Sequence, residues 1–396
     1  MKVKSIFLSM LAIAVLASCS KEEPNPSPPG PQGEPMVVKL TIGGKPLTTK
    51  AAGAADNATD QTIDNLTLFG VNGTSGNVIT KKYFGSSNLT AGAGQAKVAT
   101  FETTDQTTEI YAIANIGSDL TTGATDVLNV PTLKALKNAK ASLLSTGSPA
   151  QTQGNVLMSG STTSITDGGG GNRTASITLN FIASKIILKS LTRDAASTGA
   201  YGTDFQFQAA QLNHVNTAAY YMADADSYIG AIATNSVRPA ISLSWATGMA
   251  SGGSGTVVAD FSQSLLASVT TGNFAPGSAA VEDLGYWYVF ENGEAATPTT
   301  LLIHYLWKET NAGTMTTNMY FPVTFHANHD GGLQPGQAYN VALTFKGNFL
   351  PTDNPGGGGG TGGGGTTDPD TPIKPGDVTV TVTPTAWGST AVNKPF

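Results

Sequence analysis

The chain has little charge and almost no cysteine. Only 12% of its 396 residues are charged, about half the ~25% of ordinary soluble domains. Its net charge is −6. Nothing in that balance could neutralise a run of phosphates, so nucleic acid is excluded as a partner. The single cysteine, Cys19, rules out a disulfide framework within the chain. Past the first twenty residues no apolar run is long enough to cross a bilayer as a helix. What is plentiful is glycine (47 residues), threonine (53) and a hydrophobic share of 40%. That share can fill real cores and excludes wholesale disorder. Threonine and glycine with few charges point to a β-rich, extracellular protein, and the length suits two domains with appendages.

The amino terminus sets the compartment. Lys2 and Lys4 precede an apolar run from Ile6 to Leu16, the layout of a secretory signal whose core is too short for a stable span. It closes on Leu16-Ala17-Ser18-Cys19, which resembles a bacterial lipobox. The resemblance implies that residues 1–18 are a signal peptide and that Cys19 carries lipid, tethering the precursor to the outer membrane. Ser20-Lys21-Glu22-Glu23 resembles the surface-export signal of Bacteroidetes-type lipoproteins. Residues 19–35 then form a Pro-rich spacer, read as an extended stalk.

From Met36 to Ile42 the pattern alternates, with Val38, Leu40 and Ile42 on one face, as in a half-buried strand. A run of small residues around Lys50 follows, with no apolar anchor, and is expected to be exposed to proteases. Short strands are expected at 66–71, 109–116, 176–188, 241–245, 286–291, 300–307, 320–326 and 339–345, with one helix opening at Pro131-Thr132 and running past Leu136 and Lys140 to Leu143. Strands at this density without interleaved helices indicate an all-β protein built of β-sandwiches. The glycines 168–171 are the expected domain boundary, giving domains over 51–168 and 169–350. A Gly-rich linker covers 351–376 and cannot bury enough apolar surface to order itself.

Beyond the linker, residues 377–396 hold an unexpected strand. Val378, Val380 and Val382 alternate with threonines, and Trp387 follows. A strand on a flexible tether with no neighbouring partner needs a sheet from elsewhere. It could pair with its own chain. It could also enter another copy, if cleavage after Lys50 (or Lys45) released residues 36–50 and left a groove. The second arrangement is strand addition in trans, and head-to-tail repetition would build a fibre.

Several local patterns resemble the fimbrillins of type V pili, the Bacteroidales-type fimbrial subunits. Tyr111-Ala112-Ile113-Ala114-Asn115-Ile116-Gly117 resembles the family's aromatic–x–x–small–Asn–x–Gly strand. Val156 to Gly160 resembles its Met–Ser–Gly turn, with Lys185-Ile186 ending the interdomain strand. Tyr288 to Asn292 is similar to the aromatic–x–x–Glu–Asn pattern, and Leu333 to Phe345 to the last strand of the second domain. The resemblance implies two tandem transthyretin-like β-sandwich domains, secretion as a lipoprotein, removal of the first strand by a trypsin-like or Arg-specific protease, and strand-exchange polymerisation into adhesive fimbriae. Its partners would be further copies, related fimbrial subunits, a maturation protease and a host or bacterial adhesion ligand. A lysine where the family commonly has arginine, and a long linker, depart from the pattern.

Short stretches with catalytic or metal-binding residue types fall short of a complete motif. His326, His329 and Asp330 lie in an expected turn without further ligands. Asp224-Ala225-Asp226-Ser227 lacks the spacing of a calcium loop. Gly92 to Lys97 lacks the ending of a P-loop, and no Gly-x-Ser-x-Gly elbow occurs. Glu291 has no evident carboxylate partner. No enzyme activity and no cofactor are expected. The rival readings are a monomeric surface glycan-binding lipoprotein, with Tyr286, Trp287 and Tyr288 lining a sugar site, and a fimbrial tip adhesin.

Overall fold

The computed structural model describes residues 33–44, 60–142, 144–145, 148–149, 155–169, 172–193, 205–216, 218–223, 228, 245–247, 256–257, 262–264, 281–292, 298–307, 317–325, 332–345 and 378–386. Among them the protein is nearly all β. The first half contains β1 (Pro35–Gly44), β2 (Leu66–Val71), β3 (Val78–Phe84), β4 (Thr90–Ala91), β5 (Lys97–Thr104) and β6 (Glu109–Ala114). After a short helix α1 (Leu133–Lys137) come β7 (Lys140–Ser142), β8 (Leu144–Ser145), β9 (Ser148–Pro149), β10 (Met158–Thr162), β11 (Ile165–Gly169) and β12 (Asn172–Phe181). Their order in the sheet is β3-β2-β6-β10-β12-β1-β5-β4, with β11 against the other edge of β12.

The second half opens directly with β13 (Ala183–Arg193), then β14 (Phe205–Asn213), β15 (Val215–Asn216), β16 (Ala218–Tyr220), β17 (Trp245–Thr247), β18 (Thr256–Val257) and β19 (Ser262–Ser264). β20 (Val281–Phe290), β21 (Thr300–Trp307), β22 (Thr317–Thr324), β23 (Gln337–Phe345) and β24 (Val378–Ala386) complete it. Two four-stranded sheets result, β20-β13-β23-β24 and β19-β14-β21-β22.

The two halves repeat one topology. In each, the first strand lies antiparallel to one neighbour and parallel to the last strand: β1 with β5 and β12, β13 with β20 and β23. The second sheets match as well, since β3-β2-β6-β10 and β19-β14-β21-β22 have the same order and the same antiparallel pairings. One place differs. The outer edge of β12 is taken by β11, its own hairpin partner, whereas the outer edge of β23 is taken by β24 from beyond the linker.

Alternation writes β1. Met36, Val38, Leu40 and Ile42 are buried while Val37, Lys39 and Thr41 face outward, so one side of the strand joins the core. β2, in the facing sheet, is buried along its whole length. Thr132 caps α1 by accepting from the Ala135 N–H at 3.2 Å. The helix is shorter than the apolar spacing suggested, because Lys140 leaves it to pair in β7 with Tyr220 of β16. The chain changes from one half to the other at Ile182 rather than at the glycines 168–171. Gly168 and Gly169 end β11, and β12 beyond them still pairs with β1 and β10 in the first half. The expected strand at 176–188 is therefore two strands, β12 and β13, parted where Ile182 donates its N–H to the Leu157 carbonyl.

Candidate functional site

The first candidate site is the slot that β1 occupies. Its backbone runs from Val37 to Gly44 alongside Asn172 to Leu179 of β12, and from Pro35 to Ile42 alongside Thr104 to Lys97 of β5. Val38, Leu40 and Ile42 are each 0% exposed, so all three expected core positions of this strand are in the core. A strand flanked on both sides contributes two hydrogen-bonding ladders and about 2 kcal/mol per buried aliphatic side chain. Lys45 and Lys50, the expected cleavage positions, lie outside the described residues, as does Cys19.

β24 occupies a different kind of place. It runs antiparallel to β23 of its own chain, with Val378 opposite Phe345, Val380 opposite Leu343 and Val382 opposite Val341. Among the described residues it has one neighbouring strand, and Pro384 lies within it. Proline lacks an N–H and is at home on a strand whose outer edge is unpaired. Pairing with its own chain was one of the two arrangements the sequence left open. Trp387 lies outside the described residues.

The segment that leads into β2 is fixed from both halves. Asn115, at φ 67°, follows β6 in the left-handed region that asparagine tolerates better than most residues. Its side chain accepts from the Asp64 N–H at 2.9 Å and donates to the Thr62 and Val156 carbonyls at 2.8 and 2.9 Å. Its backbone N–H donates to the Asn65 carbonyl, and Gly117 N–H to the Asn65 side chain. This is the physical content of the Asn–x–Gly pattern. From the second half, Lys185 Nζ donates to Asp60 Oδ2 at 2.9 Å, and the Tyr288 hydroxyl donates to Asp60 Oδ1. The side chains of Lys185 and Asp60 are 2% and 0% exposed. The ammonium also lies over the rings of Tyr286 and Tyr288, 4.6 and 5.4 Å from their centroids. Asp60 has no pattern of its own in the sequence, and its partner is 125 residues away.

Other candidates resolve into packing. Trp287 and Tyr288 are buried, which favours core over an exposed sugar platform. Glu291 is 5% exposed and accepts the Tyr228 N–H at 2.8 Å, a structural contact. His326, His329, Asp330, Asp224, Asp226 and Ser227 lie outside the described residues. Among the described residues, no group of three or more His, Cys, Asp or Glu could hold a metal ion, and no helix is long and apolar enough to cross a membrane.

Among the described residues the architecture is nearly all β and repeated, with a first strand that is buried yet joined to the rest through residues 45–65. Comparison with known proteins gives its class. Residues 35–219 match the family profile "Major fimbrial subunit protein (FimA)", and residues 248–387 match "FimA-like major fimbrial subunit protein, C-terminal domain". The chain belongs to this fimbrillin family, whose members are structural fimbrial subunits of the cell surface rather than enzymes. A search of curated protein sequences finds no match. Among solved structures, a candidate cell adhesion protein of Bacteroides eggerthii is 24% identical with a TM-score of 0.64, covering 91% of this chain and 98% of its own. A candidate cell adhesion protein of Parabacteroides distasonis is 17% identical (TM-score 0.56, coverages 89% and 97%). A fimbrilin of Porphyromonas gingivalis is 15% identical (TM-score 0.55, coverages 90% and 99%). At these identities the likeness shows a shared fold.

Proposed function

We propose that the chain is the precursor of a polymerising fimbrial subunit, exported as a lipoprotein on Cys19 and held first at the outer membrane. Residues 1–18 act as signal peptide and residues 19–50 as a removable segment. Cleavage after Lys50, with Lys45 as runner-up, severs β1 from the mature chain, and its departure opens the slot between β5 and β12. The Val378–Thr383 strand of another copy, with Trp387 behind it and residues 351–376 as tether, fills that slot. Adhesion to a host or bacterial surface follows from display of the fibre.

One observation carries this reading: among the described residues β24 is paired along one edge, while the β1 slot offers two. A strand moving from β23 to a vacant slot exchanges one ladder for two and can seat its valines where Val38, Leu40 and Ile42 were buried. That difference favours transfer once β1 has gone and opposes it before. Because the contact joins unlike surfaces, it repeats head to tail and builds an open fibre as long as the rotation between copies does not close on itself.

Mass spectrometry of native protein tests the maturation step, with Ala51 expected at the amino terminus. An acylated Cys19 kept in all mature material would sink it. Val380→Asp tests the donor: an ion on the face to be buried is strongly disfavoured, so folded monomers without detergent-resistant ladders are expected. Fibres of normal length from this variant would exclude the strand as donor.

A further inference from the structure

Once β1 has gone, the chain downstream of the cut becomes a terminus, and termini fray unless tied down. The next strand is β2, buried throughout, whose Leu66 is 0% exposed and whose lead-in includes Ile63 at 1%. Fraying past Ile63 would uncover part of the core at the moment when the slot is open. The lead-in has few apolar groups with which to resist it, Ile63 being the aliphatic residue among Asp60, Gln61, Thr62, Asp64 and Asn65.

We infer that Asp60, Lys185 and Tyr288 form a latch that halts unzipping at residue 60 when β1 leaves. This rests on the proposed cut upstream of Asp60. Lys185 of β13 and Tyr288 of β20 are directly opposite one another in the antiparallel ladder, so they present the ammonium and the hydroxyl as one rigid receptor. Asp60 meets both, one through each carboxylate oxygen. Five residues on, Asn65 is held by Asn115 and Gly117 of the first half. The lead-in is thus fixed at one end by the second half and at the other by the first. Burying an ion pair is a weak route to stability, since apolar residues of similar volume often do as well or better. What the pair adds is direction and a fixed register, because the Asp60 carboxylate meets two charge-assisted donors held at one place on the second half. The receptor stands on β13 and β20, which stay paired with each other when β1 leaves, so the latch does not weaken when the first half loses that strand.

The test separates the latch from native maturation by placing the recognition sequence of a specific protease within residues 51–59 of the full chain. Hydrogen exchange of amides 61–69 is measured before cutting, then after cutting and release of the amino-terminal peptide in urea below the unfolding midpoint. The parent should keep its protection in both forms. Tyr288→Phe should leave the uncut chain nearly unchanged and speed exchange after cutting by about tenfold, the worth of one hydrogen bond to a charged group. Asp60→Leu with Lys185→Met removes the charges while keeping volume, and should fold with a melting temperature near the parent's yet lose protection after cutting. A merely structural role would change both forms alike. Protection retained after cutting in the double variant, or lost in the parent, overturns the latch. Because the cut is made by design, a native amino terminus at Cys19 would remove the maturation reading without altering these exchange results.

Discussion

The first and second halves share one strand order and one set of strand directions, yet they treat their first strand differently. β13 continues from β12 with only Ile182 between them, so it cannot leave its sheet without dragging the first half along. β1 has no strand before it among the described residues, and its link to β2 runs through residues 45–65. Both strands are central and fully buried at their inward positions, Val38, Leu40 and Ile42 in one, Ile186, Leu188 and Leu191 in the other. Burial therefore does not mark which strand is exchangeable; covalent continuity does. The outer edge shows the converse. β11 is bound to β12 by a hairpin, while β24 reaches β23 from beyond residues 346–377 and covers its edge on a long tether. The half that could lose a strand and the strand that could be lent sit at opposite ends of the sequence, which is what head-to-tail assembly needs.

Charge placed in equivalent strands should break the symmetry most sharply. Leu40→Asp and Leu188→Asp each put a carboxylate in the core and should cost about 4 kcal/mol or more in the uncut chain. After cutting and removal of β1 the first penalty should vanish while the second remains, as denaturant unfolding of both forms would read out. Equal loss in both forms for both variants would mean that β1 never separates.

A smaller effect is expected at Gly160, which follows the β10–β12 pairing in the first half, a connection between sheets with no counterpart between β22 and β23 among the described residues. A Cβ there would strike the Thr178 carbonyl oxygen, a backbone atom that cannot swing aside. Gly160→Ala should cost about 2 kcal/mol, with faster hydrogen exchange confined to β10 and β12. Exchange rising equally across β22 and β23 would show that the halves do not unfold separately.

The mildest test uses alkali at the seam, where Tyr221 N–H donates to the Ala139 carbonyl of the other half. Burial pushes the Tyr221 hydroxyl up to about 12. A raised value in the folded state means that stability is unaffected below the unfolded value of about 10 and falls as pH rises from there toward 12. Melting temperature followed from pH 9 to 12 should therefore drop less steeply for Tyr221→Phe than for the parent.

Much of this is legible in the sequence. The alternation in 36–42 named the inward residues of β1, and the Val/Thr alternation located β24, because a period of two is written locally in the side chains. The strand at 300–307 was also found at its full extent. The join at 176–188 is not, since Ser176 to Leu188 holds no glycine or proline to mark a break. Only the sheets that claim each part divide it. The helix after Thr132 was overextended for a similar reason: Lys140 fits helical spacing, but its strand partner Tyr220 comes from the other half. Glycines 168–171 suggested a boundary because such runs end domains as readily as they turn hairpins.

By itself, the sequence determined the class of protein: an all-β chain with an alternating strand near each end, short motifs in the order of a fimbrial subunit, and no catalytic constellation. Each of these is local, fixed by side-chain periodicity or by a few adjacent residues. The tertiary structure decided which strand is held on two sides and which, among the described residues, on one, where one half gives way to the next, and that Asp60 meets Lys185 and Tyr288. Those facts depend on pairings between residues far apart in the chain, and neither propensity nor spacing encodes them, because the energy of a ladder or a buried ion pair exists only once both partners have been brought together.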